Sequence, residues 1–247
     1  MKINVESYGI SDVGFVRKNN EDAWAALPNC AFFVLADGMG GHQAGEVASE
    51  KTVETLTHEI EKLLCNADLS SKETAPALLK KSIERANQKV YQLSLERASY
   101  AGMGTTLACM WIYQDVLIFA HVGDSRIYRF RDKILTQLTE DHSLRQELIA
   151  KGELNTSTSR ACKNILTKAI GTQREVLPTV ELSNLEDNDI YFLCSDGLTD
   201  DLSFKEMQSI LLKSKTIKEA SDNLVHSAKE KGGYDNITVV MVKISKK

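Results

Sequence analysis

The stretch Phe32–His42, FFVLADGMGGH, runs five apolar residues into an aspartate and then a cluster of glycines. A run this short and this apolar, bounded by glycine, has the length of a strand buried on both faces rather than of a helix. It ends on Asp37, a carboxylate at the carboxyl end of a buried strand. The glycines that follow, starting at Gly38, let main chain approach whatever that carboxylate faces.

The same arrangement recurs along the chain. Asp124 follows LIFAHVG and Asp196 follows IYFLCS, so three separate apolar strands each deliver an aspartate at or just beyond the carboxyl end. Asp235 precedes NITVVMV, at the amino end of the last strand. If that strand runs antiparallel to a neighbour, its start lies beside the neighbour's end, and all four acids meet at one rim. Taken singly, Asp-Gly and Asp-Asn are ordinary turn pairs; the joint pattern is what carries weight. Carboxylates crowded in partial burial raise each other's pKa values and repel unless cations neutralise them. Oxygen donors without an accompanying histidine or cysteine cluster favour Mg²⁺ or Mn²⁺ over Zn²⁺, and the Gly38 carbonyl is a further candidate ligand. Arg17, in GFVRKNNED, reads alone as a surface arginine, and Glu21 and Asp22 could as easily begin a strand or solvate a loop. Beside a metal site the planar fork of Arg17 suits a pair of phosphate oxygens.

Further strands are expected near Thr105–Tyr113, Val116–His121, Arg126–Phe130, Ile190–Cys194 and Ile237–Ile244. Helical spacing of apolar residues marks Glu46–Leu64, Ala77–Arg97, Lys205–Leu212 and Ile217–Lys229. Links as short as Gln114–Asp115 exclude a helical crossover, so the strands after Thr105 should pair antiparallel. Helices gathered in pairs around antiparallel strands predict an α+β layered architecture. Residues 1–247 are expected to form a single domain, with 142–171 as an excursion from the core. The 247 residues are 43% hydrophobic with three prolines, enough for a large core and without a Gly/Ser/Pro-rich linker. A net charge of −4 without a basic block argues against nucleic acid as partner. No apolar run approaches the about 18 residues of a membrane span, and the N-terminus lacks a signal peptide's pattern, so a cytoplasmic protein is expected. The five cysteines lack C-x-x-C spacing and read as reduced core residues. There is no C-x₅-R loop and no G-x-x-x-x-G-K-[ST] phosphate loop.

Together, RKNNEDA, VLADGMGGHQAGEVAS, GMGTTL, VGDSRIYR, LTEDHSL, LCSDGLTD and DNITVVMV occur in the order and phrasing of the PP2C-type (PPM) metal-dependent serine/threonine phosphatases, and most resemble the compact bacterial members. The resemblance spans about Ser11 to Val242. It implies a four-layer αββα sandwich, two antiparallel sheets flanked by helix pairs, with a binuclear Mn²⁺ or Mg²⁺ centre at one end. In that family likeness Asp37 bridges two ions, Asp196 and Asp235 serve the first, and the Gly38 carbonyl serves the second. Glu21 and Asp22 support the second ion directly or through its waters, Asp124 with Asp196 holds a third and weaker one, and Arg17 grips phosphate. Thr105 and Thr106 match a structural motif. Met39 stands where many eukaryotic members carry a histidine proposed as the leaving-group acid, which leaves His42 or a metal-bound water for that role. The segment TSTSRACKNILTKAIG lacks the His-Pro step often seen in relatives. The implied activity is hydrolysis of phosphoserine and phosphothreonine in proteins by a metal-activated water, opposing a serine/threonine kinase, in a monomer. Two rival readings are a non-catalytic regulatory module of the same fold and a phosphatase of small molecules.

Overall fold

The computed structural model describes residues 3–40, 44–65, 72–153, 162 and 165–246. Two antiparallel sheets form its centre. The first has the order β1 (Ile3–Asp12), β11 (Ile237–Lys246), β10 (Ile190–Cys194), β7 (Arg126–Arg131), β8 (Ile134–Gln137). The second has the order β2 (Asp22–Leu27), β3 (Phe32–Met39), β5 (Leu107–Tyr113), β6 (Val116–Val122), β9 (Thr179–Asn184), with the two-residue β4 (Gly104–Thr105) also on β3.

The helices α1 (Ala44–Cys65) and α2 (Ala75–Glu96) cover the outer face of the second sheet, where Leu56, Ile60, Leu79 and Ile83 pack with Phe32, Val34 and Trp111. On the outer face of the first sheet lie α5 (Phe204–Lys213) and α6 (Ile217–Glu230), which bring Met207, Leu211 and Leu224 against Tyr128, Phe192 and Met241. Two short helices, α3 (Leu144–Ala150) and α4 (Asp196–Asp201), complete the described α-helices. A third cluster fills the space between the sheets with Phe33, Leu35, Met110 and Phe119 from one side and Tyr191, Leu193, Val240 and Val242 from the other. The four-layer αββα sandwich expected from the sequence is therefore the fold. Central strands such as β3 are apolar over most of their length, β3 up to Asp37, because each of their faces meets a different core.

Three expectations are corrected. The predicted strand Thr105–Tyr113 is divided at Thr106 into β4 and β5, because the chain there turns its groups onto Asp37, as described below. The consecutive strands β6 and β7 do not pair; the link Gly123–Ser125 carries the chain from one sheet to the other and sets Asp124 at the crossing. Four strands, β1, β2, β8 and β9, lie outside the strand segments expected above, and all four are sheet edges. Edge strands bury less side-chain surface, so their sequences carry a weaker apolar signal. Part of the excursion at 142–171 lies outside the described residues; its start is helical, as expected, in α3.

Candidate metal centre

Strand periodicity decides which side chains line the end of the inter-sheet core. On β3, Phe33 and Leu35 point between the sheets, so Asp37, two residues on, continues that row. On β2, Trp24 and Ala26 pack into the same core, which puts Asp22 on the same face. The β2–β3 register sets Asp22 directly opposite Asp37. From the other sheet, Leu193 is followed at the same parity by Ser195, and Val240 is preceded by Thr238. Both hydroxyls donate to Asp22 Oδ2, from Ser195 Oγ at 2.8 Å and from Thr238 Oγ1 at 2.6 Å. The sheets are thus joined at this end by a buried carboxylate and two hydroxyls instead of by apolar contact.

The other acids arrive on loops at the same end. Ser195 N–H donates to the Thr238 carbonyl at 3.2 Å, so Asp196, just past β10, lies beside the start of β11, which Asp235 precedes. Asp196 opens α4 and places Asp200 one turn further along it. Burial first, and then the charges of Asp22, Asp196, Asp124 and Asp235, hold the Asp37 carboxyl well above the usual carboxylate range. Asp196 is pushed up to about 8 by burial and by Asp124, Asp235, Asp200 and Asp22. Burial, opposed in part by the two hydroxyl hydrogen bonds, raises Asp22 to about 6. Asp124 rises to about 6 through burial and the charge of Asp141. Glu21 is raised by burial, with Arg17 acting against the shift.

Main-chain contacts fix these groups. The Asp37 amide donates to Thr106 Oγ1 at 2.9 Å, and the Asp37 carbonyl accepts from Thr106 N–H and Thr105 Oγ1, each at 2.8 Å. Thr106 Oγ1 shares a 2.6 Å hydrogen bond with Ser125, tying Asp37 to the crossing that bears Asp124. Gly38 N–H donates to the Glu21 carbonyl at 3.1 Å, and that carbonyl also accepts from Ser49 Oγ on α1. A Cβ at Gly38 would lie 2.2 Å from the Gly45 carbonyl oxygen and 2.6 Å from that of Glu21, so only glycine admits this approach of β3 to α1. Asn236 holds the remaining loops: its Oδ1 accepts from Glu21 N–H at 2.8 Å, and its Nδ2 donates to the carbonyls of Val13 and Asn19 at 3.0 Å each.

Asp37, Asp22, Asp124, Asp196, Asp235 and Glu21 are therefore gathered at one end of the sandwich, with Arg17 beside them. Arg17 Nη2 donates to Asp235 Oδ2 at 2.6 Å. His42 lies outside the described residues. Among the described residues no group of three histidine, cysteine or acidic side chains is placed to hold a metal ion, and Asp235 is engaged by Arg17. The donor set nonetheless fits a hard divalent cation. It consists of oxygens, its carboxylates disfavour one another in the absence of positive charge, and Asp22 Oδ1 is buried without a hydrogen-bond partner.

Sequence reasoning did not single out Ser195, Thr238, Ser125, Asn236 or Asp200, and assigned no chemical role to Thr105 and Thr106. Asp200 carries a local signal, an acid one helical turn after Asp196. The hydroxyls and Asn236 carry none, since their partners are separated from them by tens to hundreds of residues.

A family model described as protein phosphatase 2C matches residues 16–239. Serine/threonine phosphatase stp of Listeria monocytogenes serotype 4b (strain F2365) is 37% identical over 237 residues, which cover 94% of this chain and 93% of that protein. The crystal structure of serine/threonine phosphatase Stp1 from Staphylococcus aureus superposes with a TM-score of 0.90 at 33% identity, covering 100% of this chain and 98% of that one. The catalytic domain of the serine/threonine protein phosphatase PstP, crystallised with two manganese ions, gives a TM-score of 0.87 at 32% identity, covering 99% and 100%.

Proposed function

The chain belongs to the protein phosphatase 2C family, and we propose that it removes phosphate from phosphoserine and phosphothreonine in proteins, using two Mn²⁺ or Mg²⁺ ions held by the acids at the end of the sandwich. The observation that carries the proposal is that Asp37 lies in the field of Asp22, Asp196, Asp124 and Asp235, an accumulation of buried negative charge that a divalent pair would stabilise. Asp37, Asp196, Asp235 and the Gly38 carbonyl are the groups that would hold the two ions. Glu21 and Asp22 would support them, and Asp124 with Asp196 would offer a weaker third place. When bound, the ions supply neutralisation of phosphoryl charge and a water acidified for in-line attack.

The protein's own groups do the remaining work. Arg17 can turn its half-exposed guanidinium from Asp235 to two phosphate oxygens of a substrate. Ser195 and Thr238 hold Asp22 in place, and Thr105 and Thr106 fix the main chain of Asp37. His42 is proposed as a proton donor to the leaving oxygen. Residues 1–247 act as one phosphatase domain, a cytoplasmic monomer that opposes a serine/threonine kinase.

The test is release of phosphate from a phosphothreonine peptide with Mn²⁺, with Mg²⁺ and with EDTA. Turnover that requires either metal and is lost in Asp196→Asn is expected. Turnover unaffected by EDTA, or retained in a correctly folded Asp196→Asn protein, would overturn the assignment.

A further inference from the structure

Two adjoining loops beside Arg17 expose apolar side chains that the proposed chemistry does not use. Phe15 is 69% exposed, Val16 61% and Tyr234 66%. Single exposed apolar residues are ordinary, whereas three on adjoining loops that also carry Arg17 and Asp235 form a patch bordering the site. The loops are pinned together. Phe15 N–H donates to the Gly233 carbonyl at 2.8 Å, and Arg17 bonds Asp235. Gly14 has φ +77°, and a Cβ there would lie 2.3 Å from the Asp235 carbonyl oxygen and 2.6 Å from that of Gly233, so the two main chains are in contact. Lys229 Nζ lies 4.9 Å from the centre of the Phe15 ring and pairs with Asp12 at 2.8 Å, which steadies the ring without covering the patch.

We infer that Phe15, Val16 and Tyr234 form an apolar rim that selects phosphopeptides bearing an apolar side chain within about two residues of the phosphoresidue. The inference rests on the phosphatase reading and names its substrate preference. A phosphate seated on Arg17 fixes the path of the peptide, and at about 3.3 Å per extended residue the flanking side chains fall against the rim. The rim is held by main-chain hydrogen bonds and glycine contacts, so covering it orders little protein and the buried apolar area appears as binding. A charged flanking residue would lose hydration against these apolar side chains.

The experiment uses the full chain with Mn²⁺ and two phosphothreonine peptides identical except for leucines or glutamates on both sides of the phosphoresidue. The leucine peptide should have a kcat/KM higher by about tenfold, the discrimination available to a small apolar contact. In the double variant Phe15→Ser, Tyr234→Ser the ratio of the two values should fall to near unity. Val16→Ser should reduce it in part, and provides the same readout if the double variant does not fold. Equal kcat/KM for the two peptides with the unaltered protein, or an unchanged ratio in the variants, would overturn the rim. Failure of the unaltered protein to hydrolyse either peptide would overturn the phosphatase reading and the rim with it, a result distinct from equal hydrolysis of both.

Discussion

Asp22 and Asp37 stand directly opposite each other across the β2–β3 ladder, with both side chains on the face between the sheets. Like charges in that relationship destabilise a strand pair. The arrangement therefore opposes the stability of the bare fold, a cost that the proposed divalent ions would offset.

Asp37→Asn should accordingly raise the thermal stability of the metal-free protein while removing its ability to bind Mn²⁺. The new amide can donate to Asp22 Oδ1, which otherwise has no partner. A gain of about 1 kcal/mol corresponds to about 2–4 °C in Tm for a chain of this size. Calorimetry in EDTA, with and without excess Mn²⁺, checks both halves, and a lower Tm for the metal-free variant would contradict the account of crowding.

Arg17→Ala should weaken substrate binding more than folding, because the arginine is half-exposed and its pair with Asp235 is a surface one. Loss of a bidentate phosphate contact should lower kcat/KM by about 10²-fold, with Arg17→Lys recovering only part of it. Inorganic phosphate should inhibit the variant less strongly than the unaltered protein. Equal inhibition would remove Arg17 from the phosphate site.

Thr106→Val keeps the shape of the side chain but deprives the Asp37 amide of its acceptor and Ser125 of its partner. Leaving buried polar groups unpaired should cost about 1–3 kcal/mol in denaturant unfolding. Turnover should fall as well, since the same bonds set the position of Asp37.

At the opposite end of the first sheet, Asp189 is buried and accepts from Arg131 Nε and Nη2, each at 2.6 Å, from Tyr191 at 2.7 Å and from the Glu186 amide at 2.7 Å. Burial alone would raise its pKa, but Arg131, the Glu186 amide and Tyr191 together outweigh burial and hold it below the ordinary value of 3.8. The sign follows from linkage: a depressed carboxylate contributes its full stabilisation above the unfolded value and loses it as pH falls through the folded one. Asp189→Asn should cost about 3 kcal/mol at neutral pH. The difference from the unaltered protein should shrink below the ordinary value of 3.8 and vanish once Asp189 is protonated in both states. Urea unfolding at a series of pH values reads this out, and a difference independent of pH would refute it.

Central strands such as β3, β5, β6, β10 and β11 were visible in the sequence because burial on two faces leaves an apolar run with little polar alternation. The runs before Asp37, Asp124 and Asp196, and the one after Asp235, marked out both the strands and the acids at their ends. The edge strands β1, β8 and β9 were not visible, since a strand with a neighbour on one side only is partly solvated and its composition approaches that of a loop, while for β2 the sequence left open whether Glu21 and Asp22 begin a strand or solvate a loop. The helix limits shifted by about two residues or fewer, within the range over which helix ends fray.

What the chain determined by itself was local: the lengths of the apolar runs, the helical spacing, and the identity of the acids that follow the strands. Only the tertiary structure decided that Asp22 faces Asp37, that Ser195 and Thr238 reach Asp22 from the other sheet, and that Arg17 meets Asp235 across 218 positions. The reason is geometric. Register with a period of two residues fixes which face every side chain takes, and register is set by packing two sheets against each other, a constraint that no local stretch of sequence contains.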